Sequence, residues 1–144
     1  MNLGLLGAGL VMGISALGSA IGVGTAGQGV IGAWKRCYVA NKPAPMLLLV
    51  FAGAPITQIF YGYILMGQMK AAAISSPENG LLYLGFGLAS GITISFSAIM
   101  QGKEAAAGAD SQAETGKGFA QYIAVIGVAE TIALFGMVLT MISL

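Results

Sequence analysis

Charged side chains are scarce in this chain, at 8% of residues against 57% hydrophobic. An ordinary soluble domain, in which about a quarter of residues are charged, is thereby excluded. Histidine is absent and the net charge is only +1, so nothing suggests a basic surface for nucleic acid, and no nucleic-acid partner is expected. Cys37 is the one cysteine, which excludes an intrachain disulfide; it is expected to be an inert thiol in a loop.

What the chain does have is long uncharged runs. Met1–Trp34, Met46–Met69 and Gly80–Gly102 carry no charge, and Gly118–Leu144 carries only Glu130. Each reaches the roughly 20 residues that a helix needs to cross a hydrocarbon core about 30 Å thick. The sequence therefore predicts an all-α membrane protein, residues 1–144 forming one membrane domain, with four transmembrane helices near 3–33, 46–70, 80–103 and 118–144. The first span lacks a basic leader and a small-residue cleavage site and is too long for a signal-peptide core, so it is expected to be retained.

Lys35–Pro45, Lys70–Asn79 and Lys103–Lys117 hold the non-helical punctuation and are expected to be loops of about ten to fifteen residues. Lys35, Arg36 and Lys42 lie in the first and Lys103 and Lys117 in the third, against Lys70 alone in the second. The positive-inside tendency then puts loops one and three in the cytoplasm and both termini outside.

The first span aligns with the third at a shift of 78 positions. Gly7 meets Gly85, Gly9 meets Gly87, Gly13 meets Gly91, Ser19-Ala20-Ile21 meets Ser97-Ala98-Ile99 and Gly24 meets Gly102. Spans two and four align less closely at a shift of 74, pairing Gly53 with Gly127, Thr57 with Thr131 and Gly62 with Gly136. The pattern is a duplicated helical hairpin, residues 1–75 and 76–144, in which both copies enter the membrane from the same side. It is a parallel repeat, not the inverted kind of many alternating-access transporters. In the second alignment Glu130 falls opposite Ile56, so one copy has a carboxylate and the other has none. Gly9 with Gly13, and Gly18 with Gly22, have the small-xxx-small spacing that lets backbones approach, either within the chain or in a packed inner layer of several copies.

Glu130 sits about twelve residues into the last span, near the midplane. An ionised carboxylate there costs roughly 2.5 to 3.5 kcal/mol on insertion scales, so such residues usually mark an ion or proton path. Polar side chains at comparable depth are Thr57, Gln58 and Tyr61 in the second span and Gln101 in the third. Pro55 removes a backbone donor and is expected to leave the carbonyl of Phe51 without its helical partner. A carboxylate, a hydroxyl, two amide oxygens and a freed carbonyl are hard oxygen ligands suited to a small hard cation. A proton would need only the carboxylate and one acceptor. The alternative is that Thr57, Gln58, Tyr61 and Gln101 only satisfy one another between helices.

At these residues the chain resembles the rotor-ring proteolipids, the c or K subunits, of V-type and A-type rotary ATPases. The resemblance rests on the duplicated hairpins, on Met100-Gln101-Gly102-Lys103 leading into Ala105-Ala106-Ala107-Gly108, and on Val128-Ala129-Glu130-Thr131. Pro55-Ile56-Thr57-Gln58 with Tyr61 is similar to the pattern of the sodium-translocating members, except at Ile56, where glycine is more usual. The resemblance implies that Glu130, Gln101, Thr57 and Gln58 ligate Na+ together with the carbonyl of Ala54, while Tyr61 hydrogen-bonds Glu130; the alternative cargo is H+.

It also implies partners: identical copies in a ring, a stator membrane subunit bearing a basic residue, central-stalk subunits at the cytoplasmic loops, and lipid. Spans one and three would line the inside of the ring and spans two and four the outside, in a prokaryotic plasma membrane. No nucleotide-binding motif occurs, so the chain is expected to be a non-catalytic subunit of an ATP-hydrolysing pump, with no organic cofactor. Two rivals stand beside this reading. One is a small four-helix drug/proton antiporter, which a dimer would favour, and the other is a purely structural membrane oligomer.

Overall fold

A computed structural model describes residues 2–144. Among them, four helical segments are long and apolar enough to cross a membrane: Leu3–Val39, Met46–Ser75, Pro77–Thr115 and Phe119–Met141. The first is one helix, α1 (Leu3–Val39), started by the Asn2 side chain, which accepts from the backbone amides of Gly4 at 3.0 Å and Leu5 at 3.2 Å. That cap satisfies two of the free donors at a helix start. Asn2 also donates to the carbonyl of Ala73 at 3.1 Å, tying the start of the chain to the end of the second segment.

The second segment is divided. A 3-10 turn at Met46–Leu48 leads into α2 (Leu49–Gly53), a second 3-10 turn spans Ala54–Ile56, and α3 (Thr57–Ser75) follows. The break is at Pro55, whose φ of −76° and ψ of 15° leave the helical region. In the third segment a short turn at Pro77–Asn79 opens α4 (Gly80–Thr115), and the fourth is α5 (Phe119–Met141).

The charged stretches are mostly not loops. α1 runs through Lys35 and Arg36 to Val39, α3 through Lys70 to Ser75, and α4 through Lys103 and Glu104 to Thr115. Charge ends the apolar run without ending the helix, because Lys, Arg, Glu, Gln and Ala are all strong helix formers. The helices stop where backbone chemistry forces them to. Asn41 takes a positive φ ahead of Pro43 and Pro45, Ser76 precedes Pro77, and Gly116 and Gly118 adopt φ of 66° and 89°. Cys37 accordingly lies in the last turns of α1, buried, and not in a loop.

α1 and α4 run parallel and in close contact along their lengths, with α3 antiparallel against α1 and α5 antiparallel against α4. Their interface repeats every 11 residues. A β-carbon at Gly7 would lie 2.7 Å from the α-carbon of Leu84, and at Gly18 and Gly29 it would run into Ser95 and Ala106. Eleven residues are three turns at about 3.67 residues each, a spacing that winds helices opposite to the left-handed coiled coil. Of the glycines paired in the sequence, Gly18 and Gly22 lie in this interface, whereas Gly9 and Gly13 face open space.

The core is in two parts. Toward the termini Val11, Leu65, Met69, Tyr83, Ile94 and Ala133 pack together, and toward the α1–α2 connection Ala26, Val30, Leu48, Phe51, Ala105 and Ile126 do so. Between them lies a band of buried polar side chains, including Ser19, Gln58, Ser97 and Gln101.

Candidate ion-binding site

The kink at Pro55 is what brings α3 to α5. Pro55 is buried against α1 at Gly22, where a β-carbon would lie 2.7 Å from the proline's own. The carbonyl expected to be freed is not free: Phe51 accepts the amide of Ala54. Losing the donor four residues on, the helix tightened by one residue and satisfied the carbonyl in a 3-10 turn. Ala54 begins that turn, half-buried, against the core formed by Phe51 and Ile126.

From the kink, α3 presents Gln58 and, one turn later, Tyr61. Gln58 is fully buried and donates through Nε2 to Oε1 of Gln101 at 2.8 Å. Gln101, 1% exposed, donates through its own Nε2 to the carbonyl of Ile126 on α5 at 3.0 Å. Because a carbonyl can only accept, Ile126 fixes which end of the Gln101 amide faces it, and Gln101 in turn fixes Gln58. The oxygen of Gln58 then accepts from the Thr57 hydroxyl at 3.3 Å. In this chain each amide commits a hydrogen to a neighbour, and each amide oxygen keeps a lone pair.

One turn along α5 from Ile126 stands Glu130, twelfth of the 23 residues of that helix and half-buried. Tyr61 donates its hydroxyl to Glu130 Oε1 at 2.5 Å. Two cross-links therefore lie one turn apart between the same helices: Gln58–Gln101–Ile126, and Tyr61–Glu130. Thr57 reaches Gln58 and not Glu130, although it shares a helix face with Tyr61.

Two members of the site are not among the residues expected from the sequence. Ser97, buried on α4, donates to the carbonyl of Ala129 at 2.7 Å and pins α5 beside Glu130, and the Ile126 carbonyl anchors Gln101. The 78-residue repeat pointed at Ser97 through its match with Ser19, but a serine in a helix so often bonds its own preceding turn that polarity alone does not single it out.

Known proteins give an independent comparison. Residues 84–143 match the family of ATP synthase C subunits. Over 143 residues, 99% of its length, the chain is 32% identical to the A-type ATP synthase subunit K of Methanocaldococcus jannaschii, and it spans 61% of that relative. The matched residues contain α5 with Glu130 and most of α4 with Gln101, and the internal repeat relates the remaining half of the chain to them. The chain is an integral membrane protein, similar in its second half to the ATP synthase C subunits and along nearly all of its length to an A-type ATP synthase subunit K.

Proposed function

We propose that this chain is a subunit of the membrane rotor ring of a rotary ATPase and that it carries Na+ on Glu130 through the membrane. The observation that carries the proposal is a single carboxylate at mid-helix, held by the Tyr61 hydroxyl and adjoined by a chain of amides whose oxygens keep lone pairs. Glu130, Gln101, Thr57 and Gln58, with the backbone carbonyl of Ala54, would be the ligands of the ion. Tyr61 holds the carboxylate in one orientation, and Pro55 sets the turn that contains Ala54.

An ionised Glu130 facing lipid is costly, by roughly 2.5 to 3.5 kcal/mol or more. The carboxylate must therefore be neutralised by its cargo before the ring can turn it past lipid. Unloading takes place against a stator membrane subunit whose basic residue stabilises the empty carboxylate. Loops one and three face the cytoplasm and meet the central stalk, so that the termini lie outside. The chain itself hydrolyses no ATP.

A ring built this way carries one charge per four helices, half that of a ring of equally many single hairpins with one acid each. Moving one charge through 100 mV is worth about 2.3 kcal/mol. Fewer charges per revolution favour ATP-driven pumping over synthesis. A ring that carries H+ would use Glu130 and Tyr61 alone, without the amides.

Binding of radioactive sodium to the purified assembly tests the proposal. One Na+ per chain is expected, and none after Glu130→Gln. Equal binding by the variant would overturn the reading, and a wild-type assembly that binds no Na+ but needs Glu130 for ATP-driven transport would assign H+ as the cargo.

A further inference from the structure

We propose that the seam between α4 and α5 is a second binding site, separate from that of Glu130, and that it takes a single-chain amphiphile whose ammonium head binds Glu104. The proposal stands whichever cation Glu130 carries. Along the seam runs an apolar groove of about 690 Å³, walled by Phe96, Met100, Val125, Val128 and Ile132 among others. Glu130 does not line it, because Tyr61 holds that carboxylate toward α3. Glu104 closes one end of the groove and also lines a smaller cavity of about 260 Å³, together with Ser111 and Tyr122. The carboxylate thus stands where an apolar compartment meets a smaller one lined by two hydroxyl-bearing side chains.

Charge selects the head. Oε2 of Glu104 is buried and accepts from no donor in the chain. Among the described residues Glu104 is the one charged side chain lining either cavity, and Lys103 beside it is exposed. An ionised carboxylate with an unmet oxygen is costly away from water. An ammonium group brings up to three donors along with the opposite charge. A sulfate or phosphate head would be repelled by the same carboxylate.

Depth selects the tail. The bond from Ser97 to Ala129 sets Glu130 level with about residue 96 of α4, so Glu104 lies about eight residues, roughly 12 Å, nearer the α4–α5 connection. In a core about 30 Å thick that is close to the headgroup boundary. From Glu104 the groove runs back to Ile92, about twelve residues or roughly 18 Å along α4. One leaflet of hydrocarbon is about 15 Å deep, so an alkyl chain anchored at Glu104 would lie along the groove and end near the midplane.

The walls favour a chain over a helix. Gly18 and Gly22 are positions where α1 lets α4 approach its backbone, and 78 residues on stand Phe96 and Met100. These side chains, 58% and 44% exposed, hold another helix off the groove. An alkyl chain is thin enough to pass between them and α5.

The test is photolabelling of the assembled protein in lipid nanodiscs with hexadecylamine that carries a diazirine on its tail. Label mapped by mass spectrometry is expected on Phe96, Val128 and their neighbours in the groove, displaced by plain hexadecylamine and not by hexadecyl sulfate. Glu104→Gln is expected to lower the affinity roughly tenfold or more, the loss of one charge-paired hydrogen bond, with sodium binding unchanged. Met100→Trp, which fills the groove, is expected to abolish the label there. Displacement by amine and sulfate alike, equal affinity in Glu104→Gln, or a wild-type groove that takes no label would each overturn the proposal; the last would mean that lipid or a neighbouring copy fills the seam. Sodium binding on the same samples reads the Glu130 site separately, so a failure of that reading leaves this one standing.

Discussion

At the scale of single residues, Glu130 carries the charge and its neighbours decide what that charge can hold. Tyr61→Phe removes one hydrogen bond to the carboxylate, an interaction worth about 1.5 to 3 kcal/mol when one partner is charged. Sodium affinity is expected to fall roughly tenfold or more, since about 1.4 kcal/mol is tenfold, as read by titrating sodium binding on the purified protein. Gln101→Leu leaves the Ile126 carbonyl and the Gln58 amide without their partners in a buried band. Each unsatisfied buried group costs about 1 to 3 kcal/mol, so a lower midpoint of thermal unfolding in detergent accompanies the lost sodium binding. The ion pair of Arg36 with Asp110 is half-exposed at the helix ends, and its removal is expected to change that midpoint little.

Among the helices, close approach and one kink do most of the positioning. Gly87→Val would drive a side chain into the backbone of Gly7, where the neighbouring atoms cannot move aside. It is expected to prevent the α1–α4 packing and to give a protein that aggregates on extraction, whereas Gly53→Ala, at a position open to space, is tolerated. Pro55→Ala would let α2 and α3 join as one regular helix, shifting Ala54, Gln58 and Tyr61 relative to α5. A loss of sodium affinity with unchanged helix content by circular dichroism is the expected result.

Much of this was legible from the order of residues. Uncharged runs marked the four crossings, and polarity inside them marked Glu130, Thr57, Gln58, Tyr61 and Gln101. The ends of the helices were not legible, because Lys35, Lys70 and Lys103 look like loop chemistry and are good helix formers. The fate of the Phe51 carbonyl depended on a backbone adjustment that no side chain announces. The same holds for the anchoring carbonyls of Ile126 and Ala129, since every residue has one.

For the molecule as a whole, a duplicated hairpin with a mid-membrane acid in only one of its copies is the organising feature. α1 and α4 form a glycine-rich inner pair, α3 and α5 lie outside it, and the polar band crosses between two apolar cores at the level of Glu130. In lipid there is little hydrophobic drive between helices, so tight backbone packing and the buried hydrogen bonds hold this arrangement. The central claim is that Glu130 must hold a cation to be neutral, and labelling of the intact assembly by a carbodiimide tests it most directly. The reagent attacks the protonated carboxyl, and Na+ competes with the proton for the same group. Labelling at Glu130 is therefore expected to slow as Na+ is added at fixed pH, with choline at equal ionic strength having no effect, and to recover as the pH is lowered. Identical labelling rates in sodium and choline at every pH, or modification that bypasses Glu130, would contradict the account.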